Sequence, residues 1–227
     1  MLIRDVRAVV FDAVGTLIEP EPPAPAVYEA VGRKFGSRLG AREIAARFAA
    51  AFEREEEVDR ASGLRTWEVR EEERWRHIVG RVLEDVSDPE VCFRELFAYF
   101  SRPAAWACAA DAAPVLEALA GRGLVLCMAS NYDSRLRRVV AGLPALKPIR
   151  HLVISSEVGW RKPAPEFFAA LCRCMGFSAA DLLHIGDDRV NDYEAARAAG
   201  MRAVLFDPKG KEAFCTERIS RLADLLD

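Results

Sequence analysis

The chain has 227 residues, 51% of them hydrophobic and 30% charged, and a net charge of −3. This is the composition of an ordinary globular protein, long enough for one sizeable domain or a domain with an insertion. Nothing in the charge balance suggests a nucleic-acid partner or an anionic membrane surface.

The first apolar run, Val6 to Phe11, is far too short to span a bilayer, and no signal-peptide pattern precedes it. A cytoplasmic protein without membrane or nucleic-acid partners is expected; the oligomeric state stays open. The six cysteines, Cys92, Cys108, Cys127, Cys172, Cys174 and Cys215, lie inside apolar runs and form no C-x-x-C pair. They read as buried free thiols, not as a zinc or redox site.

Val6 to Phe11 reads as a first buried strand. It stops on Asp12, and Gly15 and Thr16 follow at once. A carboxylate at that point sits on the rim of a sheet, where open α/β sheets bind ligands. Gly15 lets the main chain come close to a ligand. Asp12 is therefore a candidate nucleophile or metal ligand, with a simple turn cap as the alternative on this segment alone.

The next convincing buried strand, Leu124 to Ala129, comes more than a hundred residues later. The proline-rich stretch Glu19 to Pro25 reads as a linker into a helical insertion. Apolar stripes at helical spacing run through Val27, Val31 and Phe35, then Ile44, Phe48 and Phe52. Two more follow, Trp75 to Leu83 and Phe93 to Phe100, before an exit near Pro103. The acidic runs Glu55 to Glu57 and Glu71 to Glu73 read as solvated faces.

Beyond the insertion, helices alternate with strands. Helices are expected over Ala112 to Ala120, Ser134 to Val140, Glu166 to Met175 and Asn191 to Ala199. Strands are expected at His151 to Ile154, Leu182 to Ile185 and Ala203 to Phe206. Proline at the start of the 166–175 helix is favourable, Ser178 with Asp181 resembles a helix-start signal, and Gly200 fits a helix end. This order predicts an α/β protein with a parallel sheet covered on both faces.

Each strand ends on chemistry. After the first comes Asp12; after the second, Ser130 and Asn131. Gly159-Trp160-Arg161-Lys162-Pro163 follows the third, and Gly186-Asp187-Asp188 with Asp192 the fourth. These groups should crowd one rim. Clustered carboxylates need a proton or a cation among them. Oxygen-only ligands favour a hard cation, Mg²⁺. Ser130 and Asn131 offer hydrogen bonds to an anion, and Lys162 offers positive charge. The set reads as a phosphoryl-transfer site.

Four motifs in this order, Asp12-x-x-Gly15-Thr16-Leu17, Ser130-Asn131, Lys162-Pro163 and Gly186-Asp187-x-x-x-x-Asp192, resemble those of the haloacid dehalogenase-like (HAD) hydrolase superfamily. The stretch Ser130 to Leu136, with Trp67, Trp106 and Glu157-x-Gly159-x-x-Lys162-Pro163, looks most like a eukaryote-like subgroup of it.

The resemblance implies a Rossmann-like core over 1–19 and 105–227 and an all-helical C1 cap over 20–104. It implies Asp12 as the nucleophile that becomes an aspartyl-phosphate, with Lys162 stabilising charge. It implies Mg²⁺ on Asp12, the backbone carbonyl of Val14, and Asp187. Asp188 and Asp192 would stand beside the ion, or orient Lys162. Ser130, with Asn131, Thr16 and main-chain amides, would bind the phosphoryl group of a small phosphorylated substrate.

One position departs from the pattern. The family's phosphatases usually carry a second aspartate two residues after the nucleophile, and here that residue is Val14. The missing acid is worth about 10²–10⁴ in rate. Three readings follow. One is a phosphatase that works without this acid or with a donor from the cap, preferring acidic leaving groups such as acyl or aryl phosphates. The others are a dehalogenase-type hydrolase, and a non-enzymatic descendant that binds a phospho-ligand or a partner.

Other residues are given structural roles: His77, His151 and His184 as lone histidines, and Trp67 with Trp75 at a core-like spacing of eight. Trp160 is read as packing at least as readily as lining an entrance. The cap arginines, among them Arg33, Arg65 and Arg70, are read as mostly solvated, with a grip on an anionic substrate as the alternative, and Lys209 to Lys211 as a charged loop.

Overall fold

A strand covered on both sides needs a continuous apolar run, and Ala8-Val9-Val10-Phe11 supplies one in which every residue is fully buried. The computed structural model describes residues 2–227. The chain begins with β1 (Ala8–Phe11) and a short β2 (Ile18–Pro20). Four helices follow: α1 (Ala24–Lys34), α2 (Ala41–Ala61), α3 (Glu68–Val82) and α4 (Pro89–Tyr99). Next come β3 (Trp106–Cys108), α5 (Ala112–Gly121), β4 (Val125–Ser130), α6 (Arg135–Ala141), β5 (His151–Ile154), α7 (Ser155–Val158) and α8 (Pro165–Met175). The chain ends with β6 (Leu182–Gly186), α9 (Ala195–Ala198), β7 (Arg202–Phe206) and β8 (Arg218–Ile219).

Six strands form one parallel sheet in the order β5-β4-β1-β6-β7-β8. This is the parallel α/β sheet expected from the alternation of elements, in the Rossmann-like form that the resemblance implies. Side chains alternate across a strand, so Val9 and Phe11 face one layer with Leu116 and Leu119 of α5. Ala8 and Val10 face the other, with Phe167, Phe168 and Leu171 of α8. Phe11 lies level with Met128 of β4 and Ile185 of β6. The chain therefore leaves three neighbouring strands at the same height.

The helical insertion has an apolar cluster of its own, built from Val31, Ile44, Ile78, Val82, Phe93 and Leu96. Its stem corrects the linker reading of Glu19 to Pro25. Glu19 and Pro20 belong to β2, which pairs antiparallel with β3, Ile18 opposite Cys108 and Pro20 opposite Trp106. Two crossings are thus hydrogen-bonded to each other. Strands of three residues are too short to show an alternation that a sequence pattern reveals. Strand β8 is shorter still, two residues beyond the 209–211 loop.

Other local departures have local causes. The 191–199 stretch starts as a wide turn, Arg189–Glu194, and becomes α-helical only at α9. Ser178 and Asp181 cap a single 3-10 turn before β6. Cys92 and Cys127 are buried and Cys174 is exposed; all six thiols are free. No helix among the described residues is long and apolar enough to cross a membrane.

Charge, and not only apolar packing, ties the insertion to the sheet. Arg161 is 2% exposed and reaches into the insertion. It pairs with Glu71 and lies 3.4 Å from both Glu56 and Asp59. Arg74 meets Asp59 at 2.9 Å and Glu56 at 2.6 Å, and the Thr66 hydroxyl donates to Glu71 at 2.6 Å. Alongside, Glu68 accepts from the Ser134 backbone at 3.0 Å and its hydroxyl at 2.7 Å, and from Ser156. This corrects part of the solvated reading of the acidic runs: Glu57, Glu72 and Glu73 are exposed as expected, but Glu55 and Glu71 are only 3% and 1% exposed. Their arginine partners come from distant parts of the chain, so no local pattern reveals them.

Removing one member of such a buried set leaves opposite charges without compensation. Arg161→Ala should lower the free energy of unfolding by about 3–5 kcal/mol in urea denaturation. Arg54→Ala, which breaks the exposed Arg54–Glu57 pair, should cost about 0–1 kcal/mol.

Candidate active site

Three carboxylates meet at the carboxyl ends of β1 and β6. The Asp12 backbone N–H donates to the Ile185 carbonyl at 2.8 Å, which fixes the end of β1 against β6. The chain then folds back tightly, with the N–H groups of Leu17 and Ile18 both 2.9 Å from the Ala13 carbonyl. Gly15 sits in this loop at φ +93°, and a Cβ there would stand 2.5 Å from Asp187 Oδ2. A Cβ on Gly186 would fall onto the Asp192 carboxyl group. The two glycines thus make room for two carboxylates. Asp12, Asp187 and Asp192 each bring an oxygen to a group whose members all lie within 4.8 Å of one another.

Lys162 is the counter-charge. Its ammonium donates to Asp12 Oδ1 at 2.6 Å, Asp192 Oδ1 at 2.5 Å and the Ala129 carbonyl at 3.1 Å. Asn131 holds the lysine's main chain: it accepts from the Lys162 N–H at 2.7 Å and donates to the Lys162 carbonyl at 2.9 Å. Thr16 is buried, and its hydroxyl donates to Asp187 Oδ1 at 3.2 Å. Ser130 closes β4 with its side chain on the wall of the central cavity, as does Val14, which is 37% exposed.

The electrostatics divide these acids. Burial pushes Asp192 up, yet Lys162 and the hydrogen bond from His184 hold it well below the usual carboxylate range. Burial also pushes Asp12 up; Lys162 opposes this, the charges of Asp192 and Asp187 add to it, and the carboxyl lies at about 7. Asp187 opens to the cavity but is crowded by its walls and by Asp192, and rises to about 6. Burial works against the Lys162 ammonium, but Asp12 and Asp192 prevail and hold it charged. One lysine therefore serves Asp192 and half of Asp12. The remaining negative charge, on oxygen donors with glycines giving access, fits a hard divalent cation.

The structure brings Asp12, Lys162, Asp187 and Asp192 into direct contact range, with Val14, Ser130 and Asn131 on the same cavity wall. Asp188 lines the same cavity but does not orient Lys162. Its carboxylate accepts from the backbone N–H groups of Val190 and Asn191, both at 2.8 Å, and from the Asn191 side chain at 2.9 Å. It caps the following turn and makes no bond to Lys162; an acid just before a helical turn is drawn to the free N–H groups there. Asn131 and Thr16 likewise orient Lys162 and Asp187.

His184, read as a lone structural residue, is fully buried with Nε2 3.1 Å from Asp192 Oδ1. Burial keeps its imidazole below the usual histidine range. The available signal was a single polar residue inside the apolar strand that leads to Gly186-Asp187.

Other residues fall outside the cluster. Trp67 precedes α3 and is 54% exposed, which corrects its core reading, whereas Trp75 lies on the cavity wall. Arg65 stacks over Trp160 at 5.0 Å. Arg70, expected in solvent, pairs with Asp59 at 2.7 Å and Glu55 at 3.1 Å. His77 lies 3.3 Å from Glu55.

Comparison with known proteins agrees with this geometry. The model of the haloacid dehalogenase-like hydrolase family matches residues 6–200. The chain belongs to this family of hydrolases. It is 26% identical to the human haloacid dehalogenase-like hydrolase domain-containing protein 3, over 97% of this chain and 92% of the relative. A Mycobacterium tuberculosis phosphatase is 34% identical over 52% of this chain and 55% of its own length. A magnesium-bound HAD-hydrolase from Bacillus subtilis superposes with a TM-score of 0.80, covering 98% of this chain and 97% of that one. At 17% identity this last likeness speaks for the fold.

Asp192 raises the Asp12 carboxyl and also takes a share of Lys162. In metal-free Asp192→Asn, Asp12 should titrate below the value of about 7 that it has in the parent protein. Carbon-13 NMR of the Asp12 carboxyl against pH measures this.

Proposed function

We propose that this hydrolase is a Mg²⁺-dependent phosphatase that cleaves a small phosphate monoester through an aspartyl-phosphate on Asp12. The observation that carries the reading is the Asp12 carboxylate held through one oxygen by Lys162 at 2.6 Å, on a cavity rim shared with Ser130 and Asp187. The phosphatase named among the relatives supports the same class of reaction.

Asp12 attacks phosphorus; the P–O bond to the leaving group breaks and its electron pair departs on that oxygen. Water then attacks the aspartyl-phosphate, releasing inorganic phosphate and regenerating Asp12. Lys162 neutralises Asp12 between turnovers and its charge passes to the phosphoryl oxygens as the anhydride forms. The Ser130 hydroxyl and the backbone N–H groups of Ala13 and Val14 donate to those oxygens; those of Gly15 and Thr16 are taken by the Ile18 and Ala13 carbonyls. Asp12, Asp187 and the Val14 carbonyl would hold Mg²⁺, which supplies electrostatic stabilisation of the transferring phosphoryl group.

Val14 presents hydrocarbon where a proton donor would stand. The leaving oxygen therefore departs without a proton from this position, and groups stable as anions react best. The same residue suits a dehalogenase. Against that reading stands Asp187, whose carboxylate has no counter-charge of its own without a cation. A purely binding role leaves the Asp12–Lys162 pairing without a use.

Asp12→Asn should lose phosphate release by several orders of magnitude over a panel of metabolite esters with Mg²⁺. Equal, negligible turnover of the two proteins would overturn the reading. Val14→Asp should raise turnover of alkyl esters by up to about 10²–10⁴ and that of acidic leaving groups far less.

The metal ligands must lose their protons to bind. With Asp187 at about 6 and Asp12 at about 7 in the metal-free site, Mg²⁺ affinity should rise with pH through this window and level off above it. Proton release should accompany binding below it. Calorimetric titration in buffers of different ionisation enthalpy measures both.

A further inference from the structure

We infer that the chamber above Asp12 receives an uncharged aromatic leaving group, so that the substrates are aryl phosphate monoesters; the hydrolytic part of this inference rests on the phosphatase reading. The cavity is continuous from Asp12 and Val14 into the helical insertion and has a volume of about 410 Å³. That lies within the range of ligand pockets, about 300–1,000 Å³.

Its upper wall is a connected set of rings. Tyr28 stands edge-on to Phe48 at 5.5 Å, and Phe48 lies 6.1 Å from Phe52 and 6.4 Å from Trp75. Tyr28 also lies 6.2 Å from Phe100, which meets Trp106 at 6.0 Å. All six border the cavity and come from α1, α2, α3, the end of α4 and β3. Rings at such spacings receive another ring by offset or edge-on contact.

The charges on the same wall already have partners. Arg74 is bonded to Glu56 and Asp59, and Arg161 to Glu71. Arg135 is bonded to Asp133 at 2.7 Å and to the Phe97 carbonyl at 2.9 Å. A second anionic group on the substrate meets no unpaired cation among these arginines. A polyhydroxylated body would lose water bonds against the rings without replacement.

Val14 points to the same class independently. When the P–O bond breaks, an aryl ester's electron pair leaves on a phenolate oxygen, which solvent can protonate later. An alkoxide is a far stronger base and needs its proton during departure. The residue that removes the acid and the wall that accepts a ring therefore select one kind of molecule.

The test is calorimetric titration of the full chain with Mg²⁺, using benzylphosphonate and methylphosphonate, neither of which is hydrolysed. Benzylphosphonate should bind about tenfold or more tightly than methylphosphonate. Trp75→Ala, which hollows the wall, and Ala24→Phe, which fills the cavity from the start of α1, should each bring that ratio below about threefold. A ratio near one in the parent protein, or one unchanged in both variants, overturns the inference.

Phosphate release from phenyl phosphate and acetyl phosphate separates the two readings. Release from acetyl phosphate alone, with a phosphonate ratio near one, overturns the aryl chamber and keeps the phosphatase. A high ratio without release from either ester supports the chamber and overturns the phosphatase.

Discussion

Everything at the rim depends on one ammonium group shared by two carboxylates. Lys162 bonds to Asp12 and Asp192 at nearly equal distances, yet the two acids differ. Asp192 has His184 as a second partner and is held ionised; Asp12 has the lysine alone and the repulsion of two neighbouring acids. The asymmetry sorts the carboxylates by task. Asp192 anchors the lysine, and Asp12 meets it through one oxygen only. Asn131 fixes the lysine backbone and Thr16 fixes Asp187, so the polar groups around the reacting atoms are positioned by bonds to one another.

The loop that carries Asp12 also carries Val14, and the chain has made a consistent environment around that loss. A hydrocarbon side chain beside Asp12 continues the apolar lining that rises through Tyr28 and Trp75. An acid at this position would bring a fourth carboxylate to a site already short of positive charge. The chamber obeys the same constraint: its arginines Arg74, Arg135 and Arg161 are each paired with acids of this chain.

Much of this was legible in the sequence because polar residues follow apolar runs at strand ends. Asp12, Ser130 and Asp187 each end a buried run, Lys162 follows β5 after the short α7, and parallel strands of matched register bring these ends to one edge. Three kinds of feature were not legible. The β2–β3 stem is too short for a period. The ion pairs of Arg161 and Arg74 join residues far apart in the chain, so each acidic run by itself looks like a solvated face. The chamber was hidden differently: Phe48, Phe52 and Trp75 have the helical spacing of core residues, and a ring facing a cavity has the same period as a ring facing another helix.

Arg161 and Lys162 are neighbours in sequence and turn to opposite sides of the same loop. One is held among the acids of the insertion, and its backbone N–H donates to the Leu64 carbonyl at 2.9 Å. The other is held among the acids of the sheet. A single peptide unit therefore joins the ion pairs of the insertion to those of the sheet. A change that breaks the Arg161 pairs thus acts one residue away from the ammonium that meets Asp12.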